Sequence, residues 1–223
     1  MATTYLTYTP ASDGNRKTFT FSFWIKRSAI DSDRRIISTW VTAETKDGSI
    51  TFEGGDLKVV DYNGSTYITN LITDRVFRDT SGWYHIVVAA DTTQGVEANR
   101  VKLYINGVQE TSFSTETYPA QDTDWTGFNE DVPQVIGRKG DSATQYFDGL
   151  MSHFYFIDGL AYAPTVFGST DSDTGEWVIN TAPSVTYGTN GYLIMKDGNT
   201  ITDQGDNSND FTLGAGTLTN TED

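Results

Sequence analysis

WYHIVVAADTTQGVEANRVKLYINGVQET, residues 83–111, decides the fold, because strand pattern and turn chemistry agree throughout it. His85 to Ala90 is a run of β-branched and small apolar residues, and Val101, Leu103 and Ile105 alternate with Lys102 and Tyr104. A period of two belongs to a strand with one buried face. Asn106-Gly107 supplies two residues that tolerate positive φ, as both centres of a type I′ hairpin turn require. The stretch predicts three strands in an antiparallel all-β protein. Glu110 then falls opposite Leu103 on the expected core face, so it sits either at a solvated strand end or in a different register.

Upstream, Phe19, Phe21, Phe23 and Ile25 share one face of FTFSFWIK, with Thr20, Ser22, Trp24 and Lys26 on the other. Trp24 either packs beneath a loop or exposes its ring. RRIISTWV reads as a second apolar strand. Asp47-Gly48, Gly54-Gly55 and Asn63-Gly64 then punctuate ITFE, LKVVDY and TYITNLI, giving turn signals every ~8–12 residues, as in sandwiches. Downstream, residues 112–134 lack strand alternation and form the longest candidate loop, which carries Tyr118, Trp125 and Phe128. VIGR and YFDGLMSHFYFID follow as a strand pair. In the latter, Leu150, Ser152, Phe154 and Phe156 face one way and Met151, His153, Tyr155 and Ile157 the other, so the strand is expected to be covered on both sides. WVIN and NGYLIMKD complete the strands. No segment holds an apolar period of 3.6, so little helix is expected. The chain reads as one domain, 1–223, with 1–7 and 214–223 as peripheral tails or edge segments.

Lys and Arg number 15 against 30 Asp and Glu, a formal net charge of −15. Nucleic-acid binding depends on cations that neutralise phosphates, so nucleic acid is an unsuitable partner. The absence of cysteine removes disulfides, thiolate catalysis and Cys-based zinc sites. The amino terminus has no basic-then-apolar export signal, and no apolar run approaches the ~18 residues of a membrane span. Synthesis in the cytoplasm is expected, which leaves room for an extracellular life on a particle released by lysis.

The order FTFSFWIKRS, WYHIVVAADTT, RVKLYINGVQ, IGR and YFDGLMSHFYFIDGLAYAPTVFG resembles the laminin-G-like, concanavalin-A-like jelly-roll family. More narrowly it is similar to the version in virion proteins of tailed, especially marine, bacteriophages, with FG…TGEW and YGTNGYLI in the same order. The resemblance spans roughly residues 8–213. It implies a two-sheet antiparallel sandwich whose rim loops bind sugars or calcium in relatives. Relatives often continue from a segment like DQGDNSNDFTL into a further module; ending at Asp223 suggests a stand-alone sandwich.

Glycoside hydrolases share this broad fold, and retaining ones place two carboxyls ~5–5.5 Å apart. The only comparable spacing, Asp171, Asp173 and Glu176, is interrupted by Gly175 and reads as a loop. His85 and His153 lie in apolar strand patterns and read as structural, so no catalytic residue is expected. No cofactor is required. Calcium is the candidate ion, with Asp122, Asp171, Asp173, Asp203 and Asp206 (and Asp124) as rim oxygens. None fits an EF-hand: in the 171 loop the glycine comes one place early and the twelfth position is Ala182. For stacking a sugar ring, Tyr118, Asp124 and Trp125 are the first candidates and Trp40, Tyr62 and Tyr67 the second.

These readings converge on a non-enzymatic phage virion surface protein, a tail or capsid appendage that helps attach to host-surface glycan. The alternative is a purely structural decoration or tail-assembly protein that contacts other virion subunits; a glycan hydrolase is the outsider. Without coiled-coil heptads or collagen repeats the chain lacks a fibre shaft. Particle symmetry makes a closed homo-oligomer reasonable.

Overall fold

In the computed structural model, which describes residues 3–30, 32–39 and 46–221, the aromatic face of residues 19–25 forms the centre of a two-sheet sandwich. The first eight strands are β1 (Tyr5–Tyr8), β2 (Thr18–Arg27), β3 (Arg34–Thr39), β4 (Asp47–Glu53), β5 (Asp56–Tyr62), β6 (Tyr67–Val76), β7 (Tyr84–Asp91) and β8 (Val101–Ile105). The others are β9 (Val108–Gln109), β10 (Phe113–Thr117), β11 (Gln134–Ile136), β12 (Gly149–Asp158), β13 (Gly168–Thr170), β14 (Trp177–Ile179), β15 (Tyr192–Ile194) and β16 (Thr212–Ala215). One sheet has the order β10-β6-β5-β4-β3-β11-β1-β16, the other β15-β12-β2-β7-β8-β9, and β13 and β14 form a separate ribbon. All pairings are antiparallel. Among the described residues the only helical pieces are two short 3-10 turns, and no helix is long and apolar enough to cross a membrane.

The central hairpin forms as its residues require. Asn106 and Gly107 take φ of 48° and 79°, and Ile105 pairs with Val108. A side chain at Gly107 would collide with the Trp177 ring as well, so the glycine serves both the turn and a close approach. The register is the expected one, with Glu110 N–H bonded to Leu103 O at 2.8 Å, yet Glu110 is not solvated. It is buried and its carboxylate pairs with Arg75 at 2.8 Å.

The face assignment of residues 150–157 needs correction. His153 adopts φ 48° and the register with β2 slips between Ser152 and Tyr155. This bulge inserts a residue and reverses the alternation. Met151 therefore packs on the main core with Phe154 and Phe156, while Ser152 lies opposite Trp24. Both faces are covered as expected: Tyr155 and Ile157 join Val87, Phe167 and Leu193 in a second apolar cluster.

That second cluster exists because the chain after β12 folds back over the outer face of the six-stranded sheet. His85 marks where it is pinned. Its ring stacks on Trp24 at 4.9 Å and on Trp177 at 6.0 Å. The indole N–H of Trp177 donates to Nδ1 at 2.9 Å, so Nε2 must carry the proton and donate to Ser22 Oγ, also at 2.9 Å. Burial lowers the His85 pKa to about 3. The folded state thus excludes a proton that the unfolded chain accepts near 6.5, and this stabilisation is complete above pH ~6.5 and lost as pH falls towards 3. Asp61 acts in the opposite sense: burial raises its pKa to about 7, so its contribution is full below the ordinary carboxylate pKa and lost as pH rises through 7. The His85→Gln variant is expected to be less stable at neutral pH. Its unfolding free energy from urea titration should also fall less steeply than wild type on acidification, by up to ~1.4 kcal/mol per pH unit. Parallel profiles from about pH 7 to 4 would refute the assignment.

Candidate ligand-binding face

With part of the outer face of the six-stranded sheet covered by residues 159–190, the outer face of the eight-stranded sheet is left to present side chains. Alternation along β5 sends Leu57 and Val59 inward and Lys58, Val60 and Tyr62 outward. Along β4, Ile50 and Phe52 go inward, and Ser49, Thr51 and Glu53 outward. Register then assembles them: Thr51 sits between Arg35 and Lys58, Ser49 beside Val60, and Asp47 beside Tyr62. A pit of about 120 Å³ results, lined by Arg35, Asp47, Ser49, Glu53, Lys58 and Tyr67 among others.

Its charges are paired. Arg35 meets Asp47 at 3.0 Å and Lys58 meets Glu53 at 3.0 Å. Arg35 Nε also donates to Gln145 Oε1 at 3.1 Å, and Gln145 Nε2 to Asp33 at 3.1 Å. Such pairs stabilise an exposed face by at most ~1 kcal/mol, but they hold planar donors and acceptors in place. The Ser49 hydroxyl is buried in this lining without a hydrogen-bond partner among the described residues. Tyr67, 49 % exposed, stands at the rim with its ring 5.0 Å from that of Tyr62. The arrangement can stack the apolar face of a ring and exchange hydrogen bonds with hydroxyls.

The expected residues are distributed differently from the sequence reading. Tyr62 and Tyr67 come together; Trp40, expected beside them, lies outside the described residues. Trp125 is fully buried, not exposed, with its ring 5.1 Å from Phe19 and 6.0 Å from Phe128. Of Tyr118, Asp124 and Trp125, the tryptophan therefore offers no ring face to a sugar; the Tyr118 hydroxyl bonds Glu116 at 2.8 Å and Asp124 is exposed. The physical reason is that the gap at the sandwich rim is filled by the loop's own aromatics. Part of the loop is also strand, β10, on the edge of the sheet. Asp61 anchors the rest, accepting hydrogen bonds from Thr126 N–H and its hydroxyl.

The five acids named for calcium do not converge. Asp171 Oδ1 accepts from Asp173 N–H, Thr174 N–H and the Thr174 hydroxyl, which hold its pKa down. Asp203 accepts from the N–H groups of Leu193, Gly205 and Asn209. Asp122 takes φ 61° in a third loop, and Asp206 is exposed. Among the described residues no group of three or more His, Cys, Asp or Glu could hold a metal ion.

Sequence reading missed Arg35, Asp47, Ser49, Glu53, Lys58 and Gln145. The available signal was the polar half of each alternating strand; what it lacked was the register that stacks one strand's polar positions on the next.

Residues 1–167 match the model of the Laminin_G_3 family, described as the concanavalin A-like lectin/glucanases superfamily. No curated protein matches the chain in sequence. Among solved structures, the native heptameric SAP-like pentraxin from Limulus polyphemus is similar with a TM-score of 0.54 at 15% identity, covering 83% of this chain and 89% of that one. Domains LG4-5 of the mouse laminin alpha1 chain give 0.48 at 10% identity, with 86% and 44% covered. The CBM40 of a Ruminococcus gnavus IT-sialidase, bound to alpha2,3 sialyllactose, gives 0.43 at 12% identity, with 60% and 72% covered. The pentraxin likeness is one of fold. With its two antiparallel sheets and a family match over residues 1–167 of 223, the chain belongs to the Laminin_G_3 family of concanavalin A-like lectins and glucanases.

Proposed function

We propose that this chain is a non-enzymatic, lectin-like module of a tailed-phage virion surface protein, and that it holds host-surface glycan on the outer face of β3 to β6. The observation that carries the binding reading is the exposed Tyr67 ring beside a pit of paired charges and a Ser49 hydroxyl with no partner among the described residues. Neutral sugars need this combination, with an apolar ring face against an aromatic and fixed donors and acceptors for hydroxyls. The virion reading is supported by the ordered sequence words that resemble phage proteins, and by a net charge of −15 that suits a soluble, non-aggregating surface.

Binding to a glycan array, followed by titration of the best ligand, tests the site. Tyr67→Ala should weaken binding at least about tenfold with an unchanged melting temperature, because the ring is largely solvent-exposed. Undiminished affinity in that variant would remove the face from the site. A structural reading is favoured by β16, whose residues are all exposed and whose outer edge has no strand beside it among the described residues, as a contact to a neighbouring virion subunit would need. Cryo-electron microscopy of the particle separates the two: the β3–β6 face outward supports glycan binding, and the same face buried against another subunit makes its tyrosines assembly contacts.

A further inference from the structure

β12 loses its neighbour halfway along. β15 pairs with it only at Phe154 to Phe156, so among the described residues Gly149–Ser152 have β2 on one side and no strand on the other. The parting is built into the backbone. His153 and Met195 both take left-handed φ, 48° and 57°, which is costly for residues with a Cβ, and His153 N–H bonds Met195 O at 3.0 Å. Beyond that bond the chain turns away from β12 and leaves a slot.

Ladder alternation shows which groups face it. Ser28 N–H bonds Asp148 O on the β2 side, and His153 N–H bonds Met195 O on the β15 side. Because successive residues of an antiparallel strand point their N–H and C=O to opposite neighbours, those of Met151 and Gly149 point away from β2. They point into a cleft of about 430 Å³, whose walls include Trp83, Phe147, Lys196, Asn199 and Leu218. A row of unpaired backbone groups at a strand edge is the template that an added strand satisfies.

We propose that this cleft takes an extended peptide, added as a strand along Gly149–Ser152. Four residues at strand rise span roughly 13 Å, which sets the length of the paired segment at about three to four residues. Side-chain chemistry narrows it further. Phe147, Met151 and Leu218 offer an apolar seat for one side chain. Lys196 is half-buried and has no ion pair among the described residues of a chain with net charge −15, so it selects one acidic side chain. Asp148 also lines the cleft and opposes a second acid. This site lies apart from the glycan face and stands without it.

The test uses fluorescence polarisation with end-blocked tetrapeptides, each holding one Asp or Glu and one Leu or Phe, with methyl glucoside and methyl galactoside as competitors. The best peptide should lose at least about tenfold in affinity when the amide facing Met151 is N-methylated, since one backbone hydrogen bond in a shielded slot is removed. Lys196→Gln should weaken it severalfold, and Tyr67→Ala should leave it unchanged. Failure of every tetrapeptide, or equal affinity of the N-methylated form, would overturn the proposal. So would displacement by a methyl glycoside whose own binding is lost in Trp83→Ala, which assigns the cleft to sugar, and loss of the peptide in Tyr67→Ala, which moves it to the glycan face.

Discussion

Replacing Trp125 with alanine should destabilise the protein by about 3–5 kcal/mol, the range for emptying a large aromatic site in a packed core. The ring is completely buried and makes edge-to-face contact with Phe19 at 5.1 Å, and Phe19 in turn touches Phe21 and Phe156. Backbone bonds brace the same point: Trp125 N–H to Arg16 O at 2.9 Å, and Arg16 Nε to Trp125 O at 2.8 Å. The indole Nε1 is buried without an acceptor among the described residues. Trp125→Phe should therefore cost far less than the alanine change, because it retains most of the apolar volume and removes an unsatisfied donor. Urea unfolding of the two variants decides it. An alanine variant with the wild-type midpoint would mean that the loop does not seal the core.

The second large effect is expected at Asp158. This buried carboxylate accepts hydrogen bonds from Asn15 N–H at 2.8 Å, Asn129 Nδ2 at 2.6 Å and Asn190 N–H at 3.1 Å. Asn190 Nδ2 also reaches Asn129 Oδ1 and Ser12 O, both at 2.9 Å. Four separate chain segments meet there, around an Asn129 held at φ 63° and a Gly14 whose Cβ would lie 2.3 Å from Asn129 Oδ1. Asp158→Ala strands three donors in a site closed to water, so a loss of about 3–5 kcal/mol is expected, short of the sum of three separate penalties because the loops can relax. Asp158→Asn keeps one acceptor and should fall between. Chemical unfolding gives the magnitude, and amide exchange at residues 12–15, 129 and 190 should accelerate in the alanine variant. Unchanged exchange there would show that the network is not what holds these loops.

Much of the fold was legible in local pattern. The face of Phe19, Phe21, Phe23 and Ile25, all fully buried, and the Asn106-Gly107 turn are near-neighbour properties that no distant residue overrides. The site was legible only in part. Tyr62 and Tyr67 could be found because they flank the Asn63-Gly64 turn signal, whose geometry brings strand ends together. Arg35, Glu53 and Lys58 could not be grouped, because their proximity depends on pairing registers between three strands.

Composition and period two by themselves determined an acidic, cysteine-free, antiparallel all-β chain, since charge count and strand alternation follow from residue identity alone. Tertiary structure decided which alternation survives and which aromatics face water. His153 inserts a bulge that reverses the faces of β12, a change of backbone angle with no signature in hydrophobicity. Trp125 enters the core because the rim of the sandwich leaves a space of its size, and a vacancy between two sheets is a property of neither strand. The open edge of Gly149–Ser152 belongs to the same class, created where β15 departs and not by the residues it exposes.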